Sequence, residues 1–339
     1  PKLKLIAEKL DLSESTVSRA LNNYSDIADQ TKQIVRNLAD EMGYQPNVNA
    51  RRLASGKSDT VAFIMPPMND QFNDSFFNEL MTGMASALTK RGWDLQILAP
   101  NNTEDQITFF NRISRSGNIS GLVISRTLIQ DPRFDILKRL KIPFISFGRS
   151  ENSDELAWVD VDNKRAFVDM ATHLCELGHR AIAYIGGPPI YNFTKQRAIG
   201  WLTAMNLRGM VFPPQYQETT ELSFEGGKAA MKRLLSLDVP PTAVCCVSDV
   251  VAIGAMQGLR ENKLEPGHDV SLIGYDGLNI GNWMEPKLTT MQQPIEKAGC
   301  ELAEMLIKII EGSQNVSSFQ KLFRASLVRR GTDNPPKLG

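Results

Sequence analysis

The chain has 339 residues, enough for a small domain followed by two α/β lobes with cores of their own. Lys+Arg and Asp+Glu are both 38, so the formal net charge is zero, which excludes a chain that coats nucleic acid by bulk charge alone. Cys175, Cys245, Cys246 and Cys300 lie in apolar stretches without metal-ligand spacing, and neither a signal-like charged-then-apolar start nor a long uninterrupted apolar run occurs; the expectation is reduced core thiols in a cytoplasmic chain with no metal and no membrane span.

Leu3 to Leu10 predicts a first helix with Ile6, Ala7 and Leu10 facing a partner. A short turn at Asp11-Leu12 leads to Ser13, a good N-cap, and to a second helix in which Val17, Ala20 and Leu21 share one face while Ser15, Ser18 and Arg19 lie elsewhere. Two helices so joined make a helix-turn-helix. Asp29-Gln30-Thr31 opens a third helix, with Ile34, Leu38 and Met42 as its apolar positions and Gly43 as its stop. Residues 1–57 hold nine Lys/Arg against seven Asp/Glu, so grip on DNA must come from placement and from pairing two such units. Asn47 to Gly56 is a linker whose Ala50-Arg51-Arg52-Leu53-Ala54 core offers barely two helical turns, marginal alone in water because nucleation is costly.

The succession of Ala7, Ser13, Thr16-Val17-Ser18-Arg19-Ala20-Leu21-Asn22, Gly43-Tyr44, Pro46-Asn47, Ala50-Arg51 and Leu53 resembles the headpiece and hinge of the LacI/GalR family of bacterial transcription regulators, in order and at its spacing. Asp11 stands where that family usually has Gly, and Asp tolerates left-handed backbone better than most residues. The resemblance implies a homodimer on a near-palindromic double-stranded operator, with half-sites about 34–36 Å apart. On this reading Ser15, Ser18 and Arg19 meet base edges, Glu14 either accepts from a cytosine amine or points outward, and Thr16, Asn22 and Tyr44 hold the phosphate backbone. Arg51 and Arg52 serve the minor groove, Leu53 wedges between base pairs there, and Leu3, Ser13, Asn47 and Ala50 complete the contact set.

From Thr60 apolar strands alternate with helices. Strands are predicted at 61–65, 94–99, 122–125, 144–147, 181–185, near Glu218, 243–247 and 270–275. Helices are predicted at 75–91, 105–116, 134–139, 164–177, 195–208, 226–235, 250–261 and 295–311. Strands buried on both faces between helices mean a doubly wound parallel sheet, here twice. The predicted fold class is thus an all-α helix-turn-helix headpiece plus an α/β effector domain of two doubly wound lobes, which the resemblance makes periplasmic-binding-protein-like, type I. The corresponding domains are a headpiece 1–46, a hinge 47–57 and an effector and dimerisation domain 58–339. Lobe one takes 58–160 and 292–322, and lobe two takes 163–289 and 324–335, with crossings at Val161–Asn163, Thr289–Gln293 and near Phe323-Arg324.

Ligands of such sheets sit at the carboxyl ends of strands. Ser125, Arg149, Asp160, Ser248 and Asp276 lie at or just after strand ends, Gln293 on a crossing, Arg197 near a helix start and Phe224 in a loop before a helix. The resemblance assigns Arg197, Asp276 and Phe224 to effector contact; an Arg fork donates, an Asp accepts and a ring covers C–H groups, as a saccharide requires. Its Asn-Asp pair is Ser248-Asp249 here, one amide fewer. Phe76-Phe77 begin a helix where they would either narrow the pocket mouth or pack into the core. His173, His179 and His268 are isolated, Gly186-Gly187 lacks the dinucleotide pattern, and no nucleophile and base pair is evident, so no enzyme and no cofactor beyond a sugar effector is expected. The function so implied is repression of carbohydrate uptake or catabolism genes, relieved when a sugar binds between the lobes. The stretch from Ser75 to Pro100 is similar to regulators responding to α-glucosides such as trehalose, sucrose or maltose. The alternatives are a regulator whose ligand strengthens DNA binding, and a sugar-transport receptor, which has no use for Leu3 to Leu53. A C-terminus without a leucine heptad favours a dimer over a tetramer.

Overall fold

In the computed structural model, which describes residues 3–21, 24, 26–44, 58–66, 75–100, 105–313 and 315–337, the chain divides into the units Pro1–Ser58 and Asp59–Gly339. The first is built from α1 (Leu3–Leu10), α2 (Glu14–Leu21) and α3 (Asp29–Glu41). Ile6, Ala7, Val17, Ala20, Val35 and Ala39 form its core, and the three alanines let the helices approach closely. Asp11 has φ 52°, the left-handed conformation the turn demands. Ser13 Oγ accepts from the Thr16 N–H at 3.0 Å and so caps α2. In α3 the inward face differs from the sequence reading: Ile34 is 48 % exposed, while Val35 and Ala39 are buried with Leu38 and Met42 beside them. Adjacent apolar residues offer two faces about 100° apart, and the face carrying the smaller side chains fits the tight three-helix contact. Asn22 and the whole segment 45–57, with Asn47, Ala50, Arg51, Arg52 and Leu53, lie outside the described residues.

The second unit runs β1 (Thr60–Ile64), α4 (Ser75–Thr89), β2 (Asp94–Leu98), α5 (Gln106–Ser116), β3 (Gly121–Ile124), α6 (Pro132–Arg139), β4 (Phe144–Phe147) and β5 (Trp158–Val161). It continues with α7 (Asn163–Glu176), β6 (Ile182–Gly186), α8 (Asn192–Leu207), β7 (Gln217–Thr219), α9 (Phe224–Leu235), β8 (Ala243–Cys246), α10 (Asp249–Glu261) and β9 (Ser271–Asp276). It closes with β10 (Thr290–Gln292), α11 (Ile295–Ile310), β11 (Gln320–Phe323) and β12 (Ser326–Val328). Two six-stranded sheets result, ordered β11-β5-β4-β3-β1-β2 and β12-β10-β9-β8-β6-β7. All pairings are parallel except β10 with β12. Helices cover both faces of each sheet, and four apolar clusters fill the layers between.

Four strands, β5, β10, β11 and β12, have no counterpart among the predicted ones, because three or four residues of mixed polarity give no readable alternation. Since β10 pairs with β9, Thr290–Gln292 belongs to the second sheet, slightly beyond the predicted end of lobe two at 289. Helix α8 starts three residues before the predicted 195, at Asn192, where no side-chain cap marks the boundary. The four cysteines are unpaired, three of them buried.

Candidate functional site

The chain passes between the sheets at 161–163, 292–295 and 323–326, and the strand ends of both lobes face one cleft. Its empty space, open mouth included, is about 740 Å³. Lobe one contributes Ser125, Arg126, Thr127, Phe147, Gly148 and Asp160 with Phe76 and Phe77 of α4; lobe two contributes Asn163, Phe193, Arg197, Leu222, Ser248, Val250 and Asp276, and Gln293 comes from a crossing.

Arg197, 5 % exposed, is the cleft's buried cation. Its Nε donates to Asn163 Oδ1 at 2.8 Å and its Nη1 to the Val247 carbonyl at 2.5 Å. The guanidinium lies 3.9 Å from the Tyr275 ring centroid and 4.7 Å from that of Phe193, so aromatic faces replace part of the lost hydration. Asp276 ends β9 with φ 123°, a strained angle for a residue with a side chain. Two groups hold it there. Gln293 Nε2 donates to Asp276 Oδ1 at 2.7 Å. Fully buried Asp249 accepts from the N–H groups of Gly277 at 2.9 Å and Leu278 at 2.7 Å, and from Thr290 Oγ1 at 2.6 Å. Burial pushes the Asp249 carboxyl up to about 7 despite these donors.

Across the cleft, Asp160 accepts from Arg149 Nε at 2.8 Å, from the Val161 N–H at 2.8 Å and from Asn163 Nδ2 at 3.3 Å. Burial nevertheless raises its carboxyl above the ordinary value. Ser125 Oγ is buried and has no hydrogen-bond partner among the described residues, which leaves it for a ligand. The apolar wall is Phe76, Phe77, Phe147, Phe193, Leu222 and Val250, with the rings of Phe76 and Phe147 5.6 Å apart. Backbone bonds join the lobes at one rim: Asn192 N–H to the Thr127 carbonyl at 3.0 Å and Ile129 N–H to the Ile190 carbonyl at 3.0 Å. Thr127 Oγ1 and Asn192 Nδ2, one from each lobe, both donate to the Arg149 carbonyl, at 2.7 and 2.9 Å.

Of the eight residues predicted for the cleft, six line it: Ser125, Asp160, Arg197, Ser248, Asp276 and Gln293. Arg149 does not; it buttresses Asp160 and stacks on Trp158 at 5.2 Å. Phe224 does not either. It is the first residue of α9, 37 % exposed, because Ser223 Oγ caps the helix by accepting from Gly226 N–H at 3.1 Å. Phe193 is the ring on the lobe-two side instead. Sequence reasoning missed it because α8 was started too late, and missed Phe147 because only polar residues were sought at strand ends, where the same rule places both.

In the first unit Ser13, Glu14, Ser15 and Arg19 are exposed on or before α2, with Thr16 and Ser18 half-buried. Leu3 and Tyr44 pack partly against the three-helix core. Arg19 Nη2 donates to Asp26 Oδ2 at 2.5 Å and its guanidinium stands 5.1 Å from the Tyr24 ring centroid. Among the described residues no group of three His, Cys, Asp or Glu is placed to hold a metal, and no helix is long and apolar enough to cross a membrane.

Known proteins match both units. A family model described as bacterial regulatory proteins, lacI family, matches residues 2–47, and one described as a periplasmic binding protein-like domain matches residues 171–332. The HTH-type transcriptional regulator AglR of Rhizobium meliloti (strain 1021) is 36 % identical over 340 residues, covering 98 % of this chain and 94 % of its own. The HTH-type transcriptional repressor CytR of Escherichia coli (strain K12) is 32 % identical, covering 97 % and 95 %. Among solved structures, the transcriptional regulator CelR–cellobiose complex superposes with a TM-score of 0.75 at 26 % identity, covering 98 % of this chain and 99 % of that one. The lac repressor dimer bound to operator and the anti-inducer ONPF shares the fold, with a TM-score of 0.81 at 22 % identity over 98 % and 99 % of the two chains.

Proposed function

The chain belongs to the LacI family of bacterial transcription regulators, and from that premise we propose that it is a homodimeric repressor which an uncharged sugar releases from its operator. The observation that carries this reading is the cleft, whose polar groups come from both lobes. A ligand bridging Asp160 and Ser125 on one side to Arg197, Ser248 and Asp276 on the other favours the closed arrangement by its difference in affinity for the two. The lining charges Arg126 and Arg197 balance Asp160 and Asp276, so a neutral polyol suits the cleft better than a sugar phosphate. The six apolar side chains cover the C–H faces of a sugar such as an α-glucoside.

The exposed polar face of α2 supplies the DNA contacts, with Arg19 reaching a guanine edge. Exposed Trp283 and Ile280, 84 % and 44 % accessible, offer apolar surface for a partner copy to cover. The test is fluorescence anisotropy of the full chain on duplexes from its own upstream region, with trehalose, sucrose, maltose and cellobiose. The expected result is sequence-specific binding that one sugar weakens roughly 5- to 150-fold. Strengthened binding reverses the sign of the regulation, and no specific binding under any condition removes the reading.

A further inference from the structure

The headpiece contains a side-chain placement that its fold does not require. Tyr24 N–H donates to the Arg19 carbonyl at 3.1 Å, and Ile27 N–H to the Tyr24 carbonyl at 3.3 Å. The chain leaving α2 is thereby held beside the helix's last turn, with the Tyr24 ring against the Arg19 guanidinium and the Asp26 carboxylate 2.5 Å from its Nη2. Both members of this ion pair are about half exposed, 46 % and 52 %. A pair in that setting adds little to stability, and a carboxylate beside a DNA-reading arginine repels phosphate. Neither folding nor bulk affinity accounts for an acid at this place.

Geometry does. An arginine that reads guanine must present two coplanar N–H groups in one orientation, and a free arginine loses rotamer freedom to do so. Asp26 engages one N–H of a fork that carries five, and the Tyr24 face fixes the plane of the fork. We propose that Tyr24 and Asp26 are positioning residues that pre-set Arg19 for one base pair, so that specificity at that base pair is written by Asp26 as much as by Arg19. This rests on the DNA-reading role given to Arg19 above.

Selection from a randomised duplex pool by the full-length protein tests it, comparing wild type, Arg19→Ala, Asp26→Asn and the double variant. Wild type enriches a motif, and Arg19→Ala loses preference at one base pair of it. Asp26→Asn keeps the rest of the motif but loses preference at that same base pair by about fivefold or more. Its binding to non-specific competitor DNA holds or rises, since a negative charge has gone. In the Arg19→Ala background Asp26→Asn changes nothing further at that position. Tyr24→Leu, which removes the ring without touching the ion pair, blunts the same base pair. A uniform change across all sequences, or unaltered preference in Asp26→Asn, overturns the proposal while leaving the regulator intact. A wild-type protein that enriches no motif overturns both.

Discussion

The two recognition surfaces make opposite use of solvent. The headpiece offers side chains between Ser13 and Arg19, neighbours in sequence and exposed on one short helix whose core lies behind them. The cleft gathers residues from Phe76 to Gln293, mostly buried and held by hydrogen bonds to one another. In the headpiece, the exposed side chains of Glu14, Ser15 and Arg19 therefore stand apart from the core that holds the helices together. In the cleft recognition and stability share residues, and a change that removes a ligand contact also strands a partner.

Arg197→Ala should give the largest effect of any single change. It leaves Asn163 Oδ1 and the Val247 carbonyl without their donor in a buried place, for a loss of roughly 2–4 kcal/mol in folding stability. It should also abolish the sugar-induced rise in melting temperature, which for a saturating ligand at 100 times its Kd corresponds to about 2.7 kcal/mol in the unaltered chain. Thermal melts with and without sugar read both at once. A variant that keeps its stability, or its response to sugar, would show that the cleft separates the two roles after all.

Arg19→Ala is the counterpart on the exposed side. Stability should stay within about 0.5 kcal/mol of the parent, because only an exposed ion pair and a ring contact are lost. Discrimination between operator and mutated operator should fall by roughly 1–3 kcal/mol. Competition binding measures the second and denaturant unfolding the first; a large drop in unfolding free energy would break the contrast.

The same contrast explains what could be read from the sequence. A capped helix with its polar face set by three-to-four spacing is a local object, and the positions of Ser13, Val17, Arg19 and Ala20 followed directly from their order. The alternation of strands and helices was equally plain because each long element is locally periodic. Strands β5, β10, β11 and β12 are short and of mixed polarity, unlike the equally short but apolar β3, β4 and β8, and they owe their conformation to the strands they pair with. The cleft was legible as far as strand ends could be located. Arg197 and Asp276 line it as the strand-end rule expects, whereas Arg149, one residue beyond a strand-end glycine, supports Asp160, and Phe224 is the first residue of a capped helix outside the lining.

That last misplacement can be tested. Phe193 stands 4.7 Å from the Arg197 guanidinium and lines the cleft, so Phe193→Ala should weaken sugar binding by about tenfold, the order of one stacking contact. Phe224→Ala should leave affinity within about twofold, since that ring stands by Lys228 at 5.7 Å and does not line the cleft. Titration calorimetry on both variants decides, and the reverse order would return Phe224 to the ligand.

The smallest effect separates the regions by proton uptake. The three histidines, His173, His179 and His268, all lie in the second unit, so the headpiece has none to titrate near neutrality. His179 is 1 % exposed, with Nε2 2.8 Å from the Asn334 carbonyl and Nδ1 2.9 Å from Thr242 Oγ1. The carbonyl can only accept, so the neutral ring donates through Nε2 and accepts through Nδ1. Burial, aided by nearby His173 and opposed by the Asn334 carbonyl, holds its pKa below 6.5. In the unfolded chain the ring takes its proton near 6.5, while in the folded unit it stays neutral to lower pH. Across that window His179 lowers the stability of the second unit as pH drops from about 7.5 through about 6.5, while Asp249, pushed up to about 7, takes its proton in the folded unit and opposes that loss. Calorimetry of the full chain at several pH values isolates the histidine's share by comparing the second unit's transition in the parent and in His179→Gln, while the headpiece's transition stays nearly still. His179→Gln, which retains a donor for Asn334 and an acceptor for Thr242, should gain on the parent as pH falls through this window; a difference that does not change with pH would assign the proton to another group of the second unit.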